Sequence, residues 1–500
     1  MNSINTQPET GLDPKDWNTI RSLGYQIIDD MVDYLSNIND RPVWTPIPQT
    51  VKDEFKKPLP QNGSDIFQVY EEFKKNIMPY PGGNIHPKHF AWVQGTGTAM
   101  GAFADLLCGV MNNNNTIADQ SAMYVDTQVV NWCKQIINYP DEGSGILVSG
   151  ASIANITALI VARNTMVANA KYAGVYAAAG KLTAYCSAET HNCLGKAAEV
   201  IGIGSDQLRK IPVKESFEID IVALKEKIAE DKANGFLPFC IIGNAGTVNT
   251  GAIDPLDELL QIARKENLWF HIDGAFGALA KLVPAYQQKL KAVEQADSVA
   301  YDLHKWMYVQ YEVACVLFKD AAAHRSAFAN AVSYLLAHER GLAAGPETTS
   351  NYGMELSRSF KALKVWMSLK EHGIDKYKQM IAQNINQALY LGEQIQQDSK
   401  LELLTPVTMN IVCFRFNPGN LDNEQLNLLN KELLMRMHEA GIAAPSYTVL
   451  NGKYAIRAAI TNHRTRLHHL DEMVAGAVKT GEDLMKEHEA NLFKFYYLTK

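Results

Sequence analysis

Four stretches of this 500-residue chain place chemically capable side chains directly after short apolar runs. The first, Val148-Ser149-Gly150-Ala151-Ser152, opens a helical pattern. Small residues let a backbone approach a ligand, and a helix N-terminus offers free N–H groups at the positive end of its dipole. That combination suits a phosphate, with a plain tight turn as the other reading. The second stretch ends in His191, after LTAYCS. Its imidazole could stack on a flat ligand or move a proton, or it could be a loop histidine with a satisfied hydrogen bond. The third is LWFHIDGA, residues 268–275. A buried strand that ends in the carboxylate of Asp273 needs a positive partner, because an unpaired buried charge is costly. A protonated pyridine nitrogen is one such partner, and a helix cap or a nearby Arg or Lys is another. The fourth, DLHKW at 302–306, offers Lys305 as a Schiff-base amine whose nucleophile desolvation would free. The alternative there is a surface lysine resting its stem on Trp306.

Each piece is ordinary alone. Together a phosphate cradle, a stacking His, a pyridinium-binding Asp and an aldehyde-binding Lys occur in the order that pyridoxal-phosphate chemistry needs.

The elements that must position them show in the pattern. From about Gly145, apolar runs (GILVSG, LTAYCS, FCIIGNAG, LWFHID, SVAY) alternate with helical stretches. Such alternation predicts a mostly parallel sheet wrapped by helices, with function at the carboxyl ends of the strands. Residues 1–85 read as a helical arm with too little apolar surface for its own core, 86–372 as the large domain, and 373–500 as a small α+β domain. Five hundred residues exceed what one core usually holds. With 47% apolar and 20% charged residues the composition is globular, and a net charge of −7 argues against a nucleic-acid partner. Seven dispersed cysteines without a CxxC pair, a polar N-terminus and no membrane-length apolar run predict a cytoplasmic protein with reduced thiols, no membrane partner and no metal.

HIDGAFGA, followed 32 residues after Asp273 by the Lys of DLHKW, resembles the group II pyridoxal-phosphate-dependent amino-acid decarboxylases, of the aromatic L-amino-acid type. The similarity extends through HPKHFAWV, ADLLCG, SGASIANITAL, ETHNC, AGTVNTGAID, LSRSFKALKVW and YAIRAAITNHRT. It implies the aspartate aminotransferase-like fold type I, α/β with a seven-stranded sheet, and a homodimer with shared active sites. It further implies that Lys305 binds the cofactor aldehyde, Asp273 the pyridine nitrogen, and that His191 and Ala275 flank the ring. Ala151 and Ser152 would cradle the phosphate, with Thr247, Asp254, Asp302 and His304 nearby. Trp92 would belong to the substrate pocket. The implied activity is decarboxylation of an aromatic L-amino acid, tyrosine-, DOPA- or tryptophan-like, to the amine and carbon dioxide.

Three departures stand out. The loop tyrosine that protonates the carbanion in such enzymes falls on Thr349, leaving Tyr352 or Tyr334 to take that part. Its loss motivates the alternative of decarboxylation coupled to oxidative deamination, giving an aldehyde, ammonia and peroxide. The segment after LLCG reads VMNNNNT, so that Asn114 and Thr116 of the partner subunit would face the substrate, and Ser357 would also line the pocket. Asp302 stands where relatives of the animal type carry Asn, and an acid beside a phosphate needs a hydrogen-bonding explanation.

Overall fold

The computed structural model describes residues 10–330 and 338–489. Two compact units are present, Met1–Gly83 and Asn84–Lys500.

The first unit carries helices Trp17–Ser36, Gln49–Glu54 and Ile66–Asn76. Asp16 and Asp65 cap two of them by accepting from first-turn N–H groups that have no intrahelical partner. Asp30 joins the first helix to the third, accepting from Tyr70 Oη at 2.8 Å and standing 3.2 Å from Lys74 Nζ. The helix Trp17–Ser36 buries no residue.

Among the described residues the second unit holds twelve strands: β1 (His89–Phe90), β2 (Ser144–Val148), β3 (Leu182–Ser187), β4 (Leu208–Ile211), β5 (Leu237–Asn244), β6 (Trp269–Asp273), β7 (Ser298–Asp302), β8 (Ala314–Phe318), β9 (Leu401–Leu403), β10 (Ile411–Phe416), β11 (Ala444–Leu450) and β12 (Lys453–Ala459). Seven of them form a sheet in the order β2-β8-β7-β6-β5-β3-β4. All neighbours are parallel except β8, which runs against both β2 and β7. This is the mostly parallel seven-stranded α/β sheet of fold type I. The reversed strand matters for the site, because antiparallel neighbours need only a short turn between them. Lys305 sits in that turn, which is closed by the N–H groups of Leu303 and His304 donating to Val313 O, both at 3.1 Å.

Side chains alternate across the sheet and feed two cores. Along β6, Phe270 and Ile272 enter one core with Leu259 of the helix Leu256–Glu266. Trp269 faces the other, where Ala154, Ala158 and Ala162 of the helix Ala151–Met166 pack closely. A third core lies in the smaller sheet, β1-β11-β12-β10-β9, under the helices Asn423–Glu439 and Leu467–Glu489. The long helix Ala362–Gln397 that reaches it breaks at Gly373, whose φ of 67° suits a residue without Cβ. Among the described residues no single helix is long and apolar enough to cross a membrane.

Candidate active site

A cavity of about 390 Å³ opens at the carboxyl ends of the sheet strands, where the sequence pattern placed function. It is lined by Ala151, Ser152, His191, Asp273, Ala275, Asp302, His304 and Lys305, and by Trp92. Segments up to 365 positions apart, from Trp92 to Arg457, thus meet in one place.

Asp273 ends β6 and is 5% exposed. Its Oδ1 accepts from Ala275 N at 3.1 Å and its Oδ2 from Asn155 Nδ2 at 3.1 Å. Both donors are neutral, and burial pushes the carboxyl above its ordinary range, with Lys305 opposing that shift. A carboxylate so placed calls for a cation delivered into the cavity.

Asp302 ends the neighbouring β7 and is solved differently. Its Oδ1 accepts from Ala151 N at 2.7 Å, and its Oδ2 stands 2.6 Å from Lys305 Nζ. This is the hydrogen-bonding explanation that an acid beside a phosphate cradle required: the carboxylate satisfies the first N–H of the helix Ala151–Met166 and neutralises the lysine. Ser152, next along that helix, is exposed.

His191 Nδ1 accepts from Cys193 N at 3.2 Å, so the neutral ring carries its proton on Nε2. Burial lowers its pKa, chiefly by desolvation, and the ring stays neutral at neutral pH. His304 Nδ1 likewise accepts from Val313 N at 3.1 Å, and its ring packs 4.3 Å from that of Tyr311. The backbone of this turn presses on Gly95: a Cβ there would lie 1.9 Å from His304 O and 2.5 Å from Lys305 O.

Other assigned residues lie elsewhere. Thr247 is buried beside the cavity, bonded to Thr250 Oγ1 at 3.0 Å and to Ala252 N at 3.1 Å. Asp254 accepts from Ile219 N, Asn244 N and Asn244 Nδ2 at 2.9, 2.8 and 2.7 Å, and so anchors the cavity residue Asn244. Asn114 and Thr116, expected to face the substrate bound by a partner subunit, make bonds within this chain. Asn114 Oδ1 accepts from Arg358 N at 3.0 Å, and Thr116 Oγ1 donates to Leu356 O. These bonds tie the Asn-rich turn to the 349–358 segment, in which Ser357 is exposed. Tyr352 also stays out of this cavity: its Oη donates to Glu347 Oε2 at 2.8 Å, and burial pushes its pKa up to about 12. Tyr334 lies outside the described residues.

Three contributors went unassigned in the sequence. Arg457 of β12 lines the cavity with its guanidinium bonded to neutral oxygens alone, Asn249 O, Trp92 O, Val248 O and Ser446 Oγ. It is 3% exposed, and desolvation lowers its pKa to about 10. An Arg inside the apolar run YAIRAAI was the available signal. Tyr311 lines the cavity 46% exposed, with a phenol that burial pushes up to about 12. Asn155 carried no strand-end signal, being one turn inside a helix.

The residues present fit pyridoxal phosphate. A buried carboxylate without a cation of its own, a lysine amine reaching the same cavity, and a helix N-terminus at its edge match a pyridinium, an aldehyde and a phosphate.

Comparison with known proteins agrees. Residues 48–417 match the model of the pyridoxal-dependent decarboxylase conserved domain. An aromatic-L-amino-acid decarboxylase of Bacillus atrophaeus is 34% identical over 450 residues, covering 89% of this chain and 92% of that protein. The crystal structure of Oryza sativa TDC with PLP and tryptamine superposes with a TM-score of 0.87 at 23% identity, covering 95% of this chain and all of that one. Rhodiola rosea 4-hydroxyphenylacetaldehyde synthase superposes with a TM-score of 0.84 at 24% identity, again over 94% of this chain and all of that one.

Proposed function

Because this chain belongs to the pyridoxal-dependent decarboxylase family, we propose that it converts an aromatic L-amino acid to the corresponding amine and carbon dioxide. The carrying observation is the pairing, in one cavity, of a buried Asp273 held only by neutral donors with the amine of Lys305. The bound cofactor, with its ring protonated, supplies the sink for the electron pair left when carbon dioxide departs. Asp273 would hold the ring nitrogen's proton by charge. Lys305 would anchor the aldehyde, and Asp302, 2.6 Å from its amine, would hold that amine whenever it is free. Arg457 gives the cavity an uncompensated positive charge suited to an α-carboxylate. His191, its proton on Nε2, would lie against the ring. Trp92, Phe276, Tyr311 and Tyr447 line the remaining wall, which favours an aromatic side chain.

A homodimer with shared sites is part of this proposal. It is supported by Leu106, Leu107, Val110 and Met111, all exposed along the helix Ala99–Met111. A cytoplasmic location is supported by seven cysteines that are all free.

A second reading, oxygen-dependent formation of the aldehyde, is favoured by one observation. Tyr352, which would protonate the carbanion, is bound to Glu347 away from the Lys305 cavity. One assay separates the two. Purified protein loaded with pyridoxal phosphate is given L-tyrosine, L-DOPA, L-tryptophan, L-phenylalanine, L-histidine and L-glutamate separately under air. Amine equal to carbon dioxide, with an aromatic substrate preferred, is expected. Carbon dioxide accompanied by peroxide and aldehyde establishes the second reading, and preference for histidine or glutamate overturns the aromatic assignment.

A further inference from the structure

His271 does not line the cavity and has no part in the chemistry above, yet it is a fully buried histidine two residues before Asp273. Strand alternation puts Trp269, His271 and Asp273 on one face of β6. Directly opposite His271 on β7 stands Ser298. Asn155, on the helix packed over that face, lies between His271 and Asp273.

The hydrogen bonds among these five residues can run only one way. Trp269 Nε1 is solely a donor and gives its proton to Ser298 Oγ at 2.8 Å. At the other end Asp273, when ionised, is solely an acceptor, so Asn155 must present Nδ2 to it, at 3.1 Å. Asn155 Oδ1 then faces His271 Nε2 at 2.8 Å, which requires the proton on Nε2. That leaves Nδ1 as the acceptor for the Ser298 hydroxyl at 2.9 Å. Every polar atom of the chain is satisfied, and Asn155, His271 and Ser298 are all 0% exposed. Burial lowers the His271 pKa to about 3, so the ring stays neutral and the tautomer is single at working pH. A reversed Asn155 would aim its oxygen at the carboxylate and break the line at both ends.

We propose that Trp269, Ser298, His271 and Asn155 form a directional relay that holds Asp273 ionised and aimed at the ring nitrogen, with Asn155 and His271 as positioning residues for decarboxylation. The proposal rests on the pyridoxal-phosphate reading above. Its physical content is that donors oriented in a low-dielectric interior favour the charged form of their acceptor, offsetting the desolvation that pushes Asp273 the other way. An ionised Asp273 in turn keeps the ring nitrogen protonated.

The test uses holoenzyme loaded with pyridoxal phosphate labelled with ¹⁵N in the ring, whose chemical shift reports protonation of that nitrogen. His271→Phe keeps a flat ring and removes both hydrogen bonds. In His271→Gln an amide donates to Asn155 and accepts from Ser298. The expectation for His271→Phe is a ring nitrogen that loses its proton at lower pH than in the wild type. Its kcat falls about 10- to 100-fold, the range of outer-shell supports, with KM changed less than about threefold. His271→Gln recovers most of both. Ser298→Ala cuts a more distant link and shows the same ring shift in smaller degree, which keeps the test available if His271→Phe does not fold. A folded, loaded His271→Phe or Ser298→Ala protein with wild-type ring shift and kcat overturns the relay, as does His271→Gln no better than His271→Phe. A merely structural role would lower Tm and leave the ring nitrogen unmoved. Wild-type protein that gives no bound ring signal overturns the cofactor reading itself, a result distinct from failure of the relay.

Discussion

The ends of β6 and β7 lie side by side, each finishing in a buried aspartate, and they handle that charge in opposite ways. Asp302 meets its cation inside the chain, with Lys305 Nζ at 2.6 Å and the Ala151 N–H at 2.7 Å. Asp273 meets only amide donors, from Asn155 and Ala275. A buried carboxylate with a built-in cation is a finished ion pair, whereas one with neutral donors alone is held ready for a cation that arrives with a ligand. The comparison teaches that the same residue type at the ends of neighbouring strands can be a latch or a receptor. The partners decide which.

The comparison breaks most visibly at Lys305. Lys305→Ala removes both the aldehyde anchor and the cation of Asp302, and activity is expected to fall at least about 1,000-fold with loss of the bound cofactor's visible absorption. Retained absorption with retained turnover would dismiss Lys305 as the anchor. Next in size is Asp273→Asn, which keeps the shape but cancels the charge. Steady-state kinetics should show kcat down about 100-fold or more, in the range of losing one preorganised electrostatic contact, with KM little altered. A change confined to KM would mean that Asp273 merely helps bind substrate. Asp302→Asn should cost about 10-fold, because the amide still accepts from Ala151 N–H while the lysine loses its counter-ion. If the two substitutions proved equally harmful, the distinction between latch and receptor would fall.

Two smaller effects probe the supports. Gly95→Ala forces a Cβ against the backbone of His304 and Lys305, and thermal unfolding should register overpacking of about 1–3 kcal/mol. An unchanged Tm would show that this turn can retreat. His271 tests the relay through pH. Its folded pKa of about 3 is depressed below the ordinary value of 6.5, so the unfolded chain takes the proton first. The stability it contributes is therefore complete above about pH 6.5 and lost as pH falls toward 3, at about 1.4 kcal/mol per pH unit. Chemical denaturation of His271→Gln should show a slope shallower by that one proton.

Much of this site could be read from the chain before any fold was known. Asp273 and Lys305 announced themselves because each follows an apolar run, and in a parallel sheet such positions open onto one edge. His191, Ala151 and Ser152 followed by the same rule, and all five line one cavity. The rule does not reach Arg457, which comes from a strand of the other sheet, nor Asn155, which sits inside a helix. Nor does it reach the hydrogen bonds of Asn114 and Thr116, which run to Arg358 and Leu356 more than 200 positions away. Within the chain these two polar side chains brace one loop against another.

What the sequence by itself determined is the alternation of strands and helices, the strand-end chemistry and the family to which they belong. Those follow from local periodicity and from the order of side chains along the backbone. What only the tertiary structure decided is the state of each charge: which aspartate is paired and which waits, and which nitrogen of His271 carries the proton. Those depend on contacts between residues up to several hundred positions apart. In a low-dielectric interior a partner three ångströms away, not the residue's own identity, sets whether a buried group is neutral, paired or free to act.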